Sequence, residues 1–380
     1  MLLYRPSLFS MRNLYFPRPR WASVVMICSL LLLNGCGLGV KRSVKVPQLL
    51  SPLAEANTDQ LIASINNLAS VRSIHGKVYV QFLDTSFSKC GIAEKYSTAD
   101  GDVVLQRPED IYLVIQVPIV GTKVAEMTSD GEHFRVAVLL GDEKYRRFVR
   151  GTNTATYQKL QTGSDAYQKM ENDGDKADCG KDGKKMNPNA EQHAVSALSG
   201  LRPHHLTDAL LIQPAAQTGS NSNLMYARSE TFVEEPDPRP EAKRGARVVH
   251  GYYVLDEIAP QGPGRARVVR RFWFDRYNEG HPNEVRLARL QFFDEDGQLI
   301  TDVIYKDQKN FGEGGRYLLP ATVELTRPQD HYSVRVTYQS PEMVKINQPY
   351  DPGVFVLQNK AQLPEVDLDT RNKTVSGPKR

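Results

Sequence analysis

The feature that most restricts the fold is a series of short runs in which apolar residues alternate with polar or amphipathic ones. In the first run, Val78, Val80 and Phe82 alternate in this way, a period of two that is typical of a β-strand with one buried face. Turn sequences separate the following runs at residues 107–110, 118–121, 129–132 and 141–143. Connections this short favour antiparallel neighbours, so residues 74–151 are predicted to form a six-stranded meander.

The same alternation resumes in the second half of the chain. Between the two groups, residues 152–223 break the pattern, with a Gly-, Asp- and Lys-rich loop predicted at 172–189 and helices at 191–200 and 203–212. We therefore expect one β-rich domain over residues 57–359, interrupted by an inserted segment of loops and helices. The strands of the second group are predicted at residues 248–258, 266–275, 284–293, 299–307, 318–326 and 332–339, and a flexible polar tail is predicted at 360–380.

A helix is predicted directly before the first strand. Asn57 can cap its first turn together with Gln60, three residues later. Leu61, Ile62, Ile65, Leu68 and Ala69 then form one apolar stripe at helical spacing. The stripe indicates that this helix lies on an apolar surface, which in the simplest case is the protein's own core.

The amino-terminal region has the pattern of a bacterial lipoprotein leader. A basic flank precedes the apolar run at residues 21–33, which is shorter than the about 20 residues of a membrane-spanning helix. The run ends in Leu33-Asn34-Gly35-Cys36, with a small residue before a cysteine. We interpret residues 1–35 as a signal peptide, Cys36 as the site of lipidation and residues 36–56 as a flexible tether. The alternative is a buried helix or a signal anchor in which Cys36 is incidental.

Charge and cysteine content limit the classes of partner. A formal net charge of +4 over 380 residues is too small for the dominant basic patch of a nucleic-acid-binding protein, so no nucleic-acid partner is predicted. Once Cys28 and Cys36 are assigned to the leader and the lipid, Cys90 and Cys179 remain. An oxidising envelope would allow these two residues to form a disulfide, and two free thiols are also compatible with the sequence.

Motifs that carry enzymatic or metal chemistry are not found in the sequence. It contains no His-Glu-x-x-His, Cys-x-x-Cys or Gly-x-Ser-x-Gly pattern, and the Asp-rich stretch at 173–178 lacks the glycine and the closing glutamate of a calcium loop. His204 and His205 are adjacent, and neighbours in a helix point about 100° apart, so we interpret them as one surface and one partly buried histidine. The sequence predicts no enzyme, no metal and no cofactor.

The order of these parts resembles the LolA/LolB-like family of envelope lipoprotein carriers and receptors. Over residues 57–359 the resemblance implies an α+β fold, mainly antiparallel β: an incomplete β-barrel, shaped like a half pipe, with helices covering the concave side and an apolar cavity between them. The resembling features, after the first helix, are Ile74-His75-Gly76-Lys77-Val78, Val104-Leu105-Gln106-Arg107-Pro108, Ser129-Asp130-Gly131-Glu132-His133-Phe134, Arg271-Phe272-Trp273-Phe274-Asp275, Phe293-Asp294-Glu295-Asp296-Gly297 and Leu319-Pro320-Ala321-Thr322-Val323-Glu324.

One strand is compatible with this arrangement independently of the resemblance. Both alternating sets of residues 111–117 are largely apolar, which predicts a strand that is covered on both faces. Leu113 and Ile115 of this strand are predicted to line the cavity, together with Phe272 and Phe274 of the later motif.

The turn after this strand is the candidate for contact with a membrane. In LolB-like receptors an apolar loop tip helps to engage the membrane, and Ile119 and Val120 occupy a comparable place between early strands. Each would contribute about 1–2 kcal/mol if inserted in lipid. Folding of both residues back onto the core is the alternative.

Together these observations favour a non-enzymatic, lipid-anchored envelope protein that binds acyl chains or lipidated proteins, with a receptor-like role in lipoprotein or lipid localisation. Its predicted partners are membrane lipids, through acylated Cys36, and acyl chains or lipoproteins as cargo. Gly37 after the cysteine is compatible with delivery to the outer membrane, facing the periplasm. The alternative is a structural or adaptor lipoprotein with a filled barrel, whose insertion at 152–223 binds a protein partner.

Overall fold

The computed structural model describes residues 46–84, 94–95, 98–141, 143, 146–155, 202–216, 223–277 and 283–370. Cys36, Cys90, Cys179 and the helix predicted at 191–200 lie outside these residues. Contacts divide the chain into two compact units, Met1–Pro47 and Gln48–Arg380, and the helices and strands of the described residues belong to the second. Within the described part of the chain, no helix is long and apolar enough to cross a membrane.

Two α-helices of the described residues match helices predicted from the sequence. Helix α1 covers Thr58–Ala69 and helix α2 covers Pro203–Leu210. Asn57 caps α1, since its side chain accepts a hydrogen bond of 2.9 Å from the Gln60 N–H and its own N–H donates one of 2.8 Å to the Gln60 side chain. Leu61, Ile62 and Ile65 of the predicted stripe are buried and Leu68 and Ala69 are half-buried, which confirms that this helix lies on the core.

The first group of strands forms the predicted six-stranded antiparallel meander. Alternation of buried and less buried side chains along these strands follows the period of two read from the sequence. The strands of this half are β1 (Gln48–Leu49), β2 (Ser73–Asp84), β3 (Glu94–Lys95), β4 (Ala99–Gln106), β5 (Asp110–Gln116), β6 (Lys123–Asp130), β7 (His133–Val138) and β8 (Arg147–Thr152). Of the two short strands, β3 extends the meander at β2, whereas β1 pairs outside the meander.

The second group continues the same sheet. Strand β15 pairs antiparallel with β2, so the long strands run in the order β9–β10–β11–β12–β13–β14–β15–β2–β4–β5–β6–β7–β8. All neighbours in this order are antiparallel, which confirms the predicted mainly antiparallel α+β class. The strands of this half are β9 (Met225–Pro236), β10 (Arg247–Pro260), β11 (Ala266–Asp275), β12 (Arg286–Phe293), β13 (Leu299–Phe311), β14 (Tyr317–Arg327), β15 (Tyr332–Tyr338), β16 (Lys345–Ile346) and β17 (Glu365–Asp367).

The ends of the domain are more firmly attached than the sequence predicts. The prediction of a flexible tether at 36–56 was wrong over its second half, because β1 pairs in parallel with β10 and Leu50 and Ala54 are buried. The prediction of a flexible tail at 360–380 was wrong over its first half, because β17 pairs in parallel with β8 and Leu363 and Leu368 are buried. In both segments only a few isolated apolar residues make the contacts, and such spacing gives no periodic signal.

The sheet curls around its helices. The Arg202 guanidinium lies 4.8 Å from the ring centre of Phe134 on β7, and His205, one helical turn later, is hydrogen-bonded to Tyr332 on β15. These two strands are five positions apart, about 24 Å in a flat sheet, whereas one helical turn rises only about 5 Å. The two halves of the sheet must therefore face each other across α2. In the described residues no pairing joins β9 to β8 or β17, so the barrel is open, as predicted.

The two faces of the curled sheet are covered by different parts of the chain. The concave face, with both helices, forms the main hydrophobic core. On the convex face, residues 347–357, which we call the outer strap, cross β2, β4, β5 and β6 and bury Phe355. Strand β5 is thus covered on both sides, which confirms the prediction from its two apolar sets.

Candidate functional site

The concave side of the sheet is occupied by one continuous segment of the insertion. Residues 202–216, which we call the lumen plug, consist of α2 and an extended continuation. Helix α2 contacts β5, β6 and β14. Leu206, Ala209 and Ile212 of the plug are buried in the main core. A short helix begun by Pro203 and followed by extended chain can thus present apolar side chains to both halves of the sheet.

The four residues predicted to line a cavity lie in the core on the concave side of the sheet. Leu113, Ile115, Phe272 and Phe274 are all buried in the main core, and they come from β5 and β11. In the described part of the chain they share this core with side chains of α1 and of the plug, such as Ile65 and Leu206. A small cavity of about 20 Å³ lies elsewhere, between the end of α1, the end of the plug and β13–β15, and none of the four residues lines it. That volume is enough for about one water molecule.

Arg107 anchors the plug from the end of β4. Its guanidinium donates hydrogen bonds to the Ile212 carbonyl at 2.7 Å and to the Gln213 side chain at 3.2 Å. Its Nε donates to the Val71 carbonyl at 2.8 Å, directly after α1. Burial lowers the pKa of Arg107. One charged side chain therefore ties α1, β4 and the plug together, and it is held in a partly desolvated place to do so.

Arg270 anchors the plug from β11. It donates to the carbonyls of Gln213 and Pro214 at 3.0 and 2.9 Å, and it forms a bidentate ion pair with Glu257 at 2.8 and 2.6 Å. Tyr226 completes the cluster, since its hydroxyl donates to Glu257 at 2.6 Å and accepts from the Ala216 N–H at 2.8 Å. The Glu257 side chain is only 4% exposed, so this ion pair is buried. Burial and the neighbouring Glu257 raise the pKa of Tyr226.

Further contacts hold the helical part of the plug and its end. Tyr305 donates a hydrogen bond of 3.0 Å to the Ala209 carbonyl near the end of α2. A hydrogen bond of 2.8 Å joins Nδ1 of His205 to the Tyr332 hydroxyl. Asn66 of α1 accepts from the N–H of Ala215, at 2.9 Å. Side chains from α1, the end of β4, β11 and β13 thus bind the plug backbone. A flexible loop on the surface would not be held in this way.

Three titratable side chains of the plug are shifted by burial. Burial raises the pKa of Asp208 to about 6, and the charge of Glu109 adds to this shift. Burial lowers the pKa of His204 to about 4 and lowers that of His205. The sequence predicted one surface and one partly buried histidine, and both are more buried than that. His205 is buried, and Nδ1 of His204 is buried without a hydrogen-bond partner. The plug therefore carries groups whose charged forms fit its site poorly.

The tip between β5 and β6 is exposed and strained. Ile119 is fully exposed and Val120 is 73% exposed, so the alternative that they fold back onto the core is wrong. The backbone of Ile119 has φ of 72°, and the Val120 N–H donates to the Pro118 carbonyl at 2.8 Å across it, closing a γ-turn. A β-branched residue is disfavoured at positive φ, and strain of this kind is found preferentially at functional sites.

The anchors of the plug are residues of the candidate site that sequence reasoning missed. Arg107 lies within one of the motifs that resemble the family and Arg270 directly before another, but charge in a strand ordinarily indicates solvent. The usable signal is that Arg270 lies on the apolar set of its strand, with Phe272 and Phe274. Among the described residues no group of three side chains is arranged to hold a metal ion.

No model of a protein family matches the sequence, and no curated protein matches it significantly. Among solved structures, a LolA superfamily protein from Nitrosomonas europaea is 12% identical with a TM-score of 0.36, over 80% of this chain and 99% of that one. A DUF1329 family protein from Desulfovibrio piger is 10% identical with a TM-score of 0.38, over 80% and 96%. A putative outer membrane lipoprotein-sorting protein domain from Vibrio parahaemolyticus is 12% identical with a TM-score of 0.34, over 80% and 97%.

The first of these structures belongs to the family that the sequence motifs resemble. All three TM-scores are below 0.5, so the likenesses carry no conclusion about the function of this chain.

Proposed function

We propose that this protein is a lipid-anchored envelope protein that binds an acyl chain, of a lipid or a lipoprotein, on the concave face of its sheet in exchange for the lumen plug. The supporting observation is the way the plug is held. Its apolar side chains fill the lumen, while its backbone is fixed by polar side chains of the sheet such as Arg107, Arg270 and Tyr305.

The filled lumen makes displacement a requirement of this proposal. A drug-sized ligand needs a pocket of about 300 Å³ or more, and the cavity found beside the plug among the described residues is about 20 Å³. When an acyl chain replaces the plug side chains, each methylene that it buries restores about 0.8 kcal/mol of hydrophobic free energy. An exchange of apolar groups for apolar groups is close to balanced, so cargo can compete with the plug.

The charged anchors favour an acyl group that carries carbonyls. When the plug leaves, Arg107 and Arg270 lose the carbonyls of Ile212, Gln213 and Pro214. An unpaired buried donor costs about 1–3 kcal/mol, and more if it is charged. The ester or amide carbonyls of an acylated molecule are acceptors of the same kind. Acylated cargo would therefore meet both the apolar and the polar requirement of the emptied lumen.

The strained tip and the leader sequence extend the proposal to a membrane. Ile119 and Val120 would insert into lipid or meet an apolar carrier, and acylated Cys36 would anchor the chain. With Gly37 after the cysteine, we place the protein at the outer membrane, facing the periplasm. Its role would be receptor-like, without a covalent step.

The filled lumen also favours the second candidate, an adaptor lipoprotein. In that case the plug would be a permanent part of the core. The remainder of the insertion would bind a protein partner. The two candidates differ in one property, which is whether the plug can leave without unfolding the sheet.

The two faces of β5 provide a matched test. Ile115 faces the lumen and Val114 faces the convex side, and each is 5% exposed. We would express the unit from Gln48 onward in a bacterial periplasm, as native protein and as Ile115→Trp and Val114→Trp. Each protein would be titrated with a fluorescent palmitoylated peptide, and its native mass would be measured.

For an acyl-binding lumen, Ile115→Trp weakens binding tenfold or more, a loss of about 1.4 kcal/mol, whereas Val114→Trp leaves it within about threefold. Circular dichroism shows whether both variants stay folded. A protein that remains free of lipid in every case, with a sheet that is intact, would contradict the proposal and support the adaptor.

A further inference from the structure

The free edge of the sheet at β9 is unusually long and open. Strand β9 has twelve residues, and it pairs with β10 along its whole length. In the described part of the chain no strand lies on the other side of β9. Met225 and Phe232 on this strand are 54% and 52% exposed. A long edge with exposed apolar residues is a template for another strand.

The hydrogen bonds of β10 show which residues of β9 offer free backbone groups. The carbonyls of Val249 and Gly251 accept from Leu50 and Arg276 at 2.9 and 3.1 Å, on the side of β10 that faces β1 and β11. The even-numbered residues of β10 therefore face β9. His250 is opposite Val233, so the odd-numbered residues of β9 bond to β10 and its even-numbered residues point outward.

We propose that β9 pairs antiparallel with β9 of a second copy of this chain, in the register that places Ser229 opposite Ser229. In this register the outward-bonding Arg228 lies opposite Glu230 of the second copy, and Tyr226 lies opposite Phe232. On the other face Met225 lies opposite Val233. Every one of these pairs is of a favourable type: opposite charges, two aromatic rings and two apolar side chains.

Neighbouring registers are disfavoured by the same residues. Centring the pair on Glu230 places two glutamates opposite each other, and centring it on Arg228 does the same with two arginines. Centring it on Thr231 places Tyr226 opposite Pro236. Pro236 is one of the outward-facing residues of β9, but it has no N–H to donate to the second copy. Charge and hydrogen bonding therefore favour the register at Ser229 over these three, and Pro236 ends the pairing beyond Glu234.

The surrounding contacts leave this edge prepared for a partner. The Arg228 guanidinium is fixed above the Tyr253 ring, 4.7 Å from its centre, and it donates to the Ala56 carbonyl. Glu230 is held by Arg276 at 2.8 Å. Because both side chains of the central charged pair are already oriented, little side-chain entropy is lost when a second copy adds the opposite charge.

Cysteine cross-linking tests the register directly. Each cysteine variant is made in the full chain that also carries Cys90→Ser and Cys179→Ser. Membranes of cells that express this chain are oxidised with copper phenanthroline. Ser229→Cys is expected to give a disulfide-linked dimer, because the Cα atoms of two facing residues in a non-hydrogen-bonded pair lie about 4.5 Å apart. Thr231→Cys, on the same face, is the matched control. Its own counterpart would be four residues away along the strand, about 13 Å, and it is expected not to cross-link.

A charge exchange separates pairing from folding. Arg228→Glu is expected to weaken the dimer tenfold or more in sedimentation, because it places two carboxylates opposite each other. The double variant Arg228→Glu with Glu230→Arg restores the opposite charges and is expected to restore the dimer. Arg228 and Glu230 also lie 4.0 Å apart within one chain, so thermal melts of both variants are measured beside sedimentation. A dimer that is lost and restored while the melting temperature stays unchanged assigns the effect to pairing between copies.

Three results would overturn the proposal. They are a monomer at all concentrations with no Ser229→Cys cross-link, a cross-link from Thr231→Cys in place of Ser229→Cys, and a cross-link from Ser229→Cys to a different protein.

Discussion

The lumen plug and the outer strap cover the same strands from opposite faces, yet they are held by different chemistry. Adjacent residues at the end of β4 illustrate the contrast. Gln106 bonds to the strap backbone at Tyr350, accepting at 2.8 Å and donating at 3.3 Å, whereas Arg107 bonds to the plug. Besides Gln106, the strap is held by neutral hydroxyls, those of Ser73 and Thr128. The plug is held by partly buried arginines and carries three shifted titratable groups.

This difference indicates which cover can move. Neutral side-chain-to-backbone bonds lose little when they are exchanged with water, and they are also independent of pH. Buried charges are stable only with their partners in place, so a molecule that supplies alternative partners can compete for them. The plug therefore has the properties of a replaceable cover, and the strap has those of a permanent one.

The largest effect that separates the two covers is expected from Arg270→Met. It leaves Glu257 buried without its ion pair, which should lower the free energy of unfolding by about 3–5 kcal/mol. Gln106→Leu, the matched change at the strap, should cost about 1–2 kcal/mol. Urea unfolding of both variants measures this. Adding Glu257→Gln to Arg270→Met should recover part of the loss, and equal losses for the two single variants would remove the contrast.

The next effect concerns Asp208 and neutral pH. Its pKa is raised in the folded protein to about 6, so its contribution to stability is complete below about pH 4 and is lost as pH rises through 6. Asp208→Asn should therefore match the native protein at pH 4 and become more stable than it at pH 7, by up to about 3 kcal/mol. Thermal melts from pH 4 to 7 would show the two curves diverging. A constant difference across this range would show that Asp208 is not strained in the plug.

The opposite sign is expected for His204. Its pKa is lowered to about 4, so its contribution to stability is present above about pH 6.5 and is lost as pH falls through 4. The free energy of unfolding of His204→Gln, relative to that of the native protein, should therefore rise by up to about 3 kcal/mol as the pH is lowered from 7 to 4. The measurement is the difference in unfolding free energy between the two proteins at each pH. A difference that does not change with pH would place the His204 ring in water.

The smallest effect is expected at the β5–β6 tip, which neither cover reaches. Ile119→Gly relieves a positive φ and should raise stability by about 1 kcal/mol. The same change removes the most exposed apolar side chain of the tip, so binding to anionic lipid vesicles should fall. Val120→Ser serves as the control, since it reduces apolar surface without relieving strain. A stabilised variant with unchanged vesicle binding would separate the strain from any membrane role.

Much of the sheet could be predicted from the sequence because half-buried strands repeat every two residues. Strand β9 escaped prediction because it lies at the edge. Its alternating sets are Tyr226, Arg228, Glu230, Phe232 on one side and Ala227, Ser229, Thr231, Val233 on the other, and neither is clearly apolar. An edge strand buries little of either face, so periodicity carries no signal there.

The candidate site was predicted only in its apolar half. Leu113, Ile115, Phe272 and Phe274 follow from strand alternation and the family resemblance. The contacts of Arg107 with Ile212 and of Arg270 with Gln213 join residues 105 and 57 positions apart. Such pairs depend on how the curled sheet meets the plug, which no local pattern encodes.

The most direct test of plug displacement is hydrogen exchange, followed by mass spectrometry, with and without a palmitoylated peptide. If cargo replaces the plug, amides in residues 202–216 should exchange faster when the peptide is bound, while those of the strap at residues 347–357 stay unchanged. The guanidinium groups of Arg107 and Arg270 would then donate to acceptors of the cargo in place of the carbonyls of the plug backbone. Equal or greater protection of the plug with the peptide bound would contradict displacement and leave the lumen permanently filled.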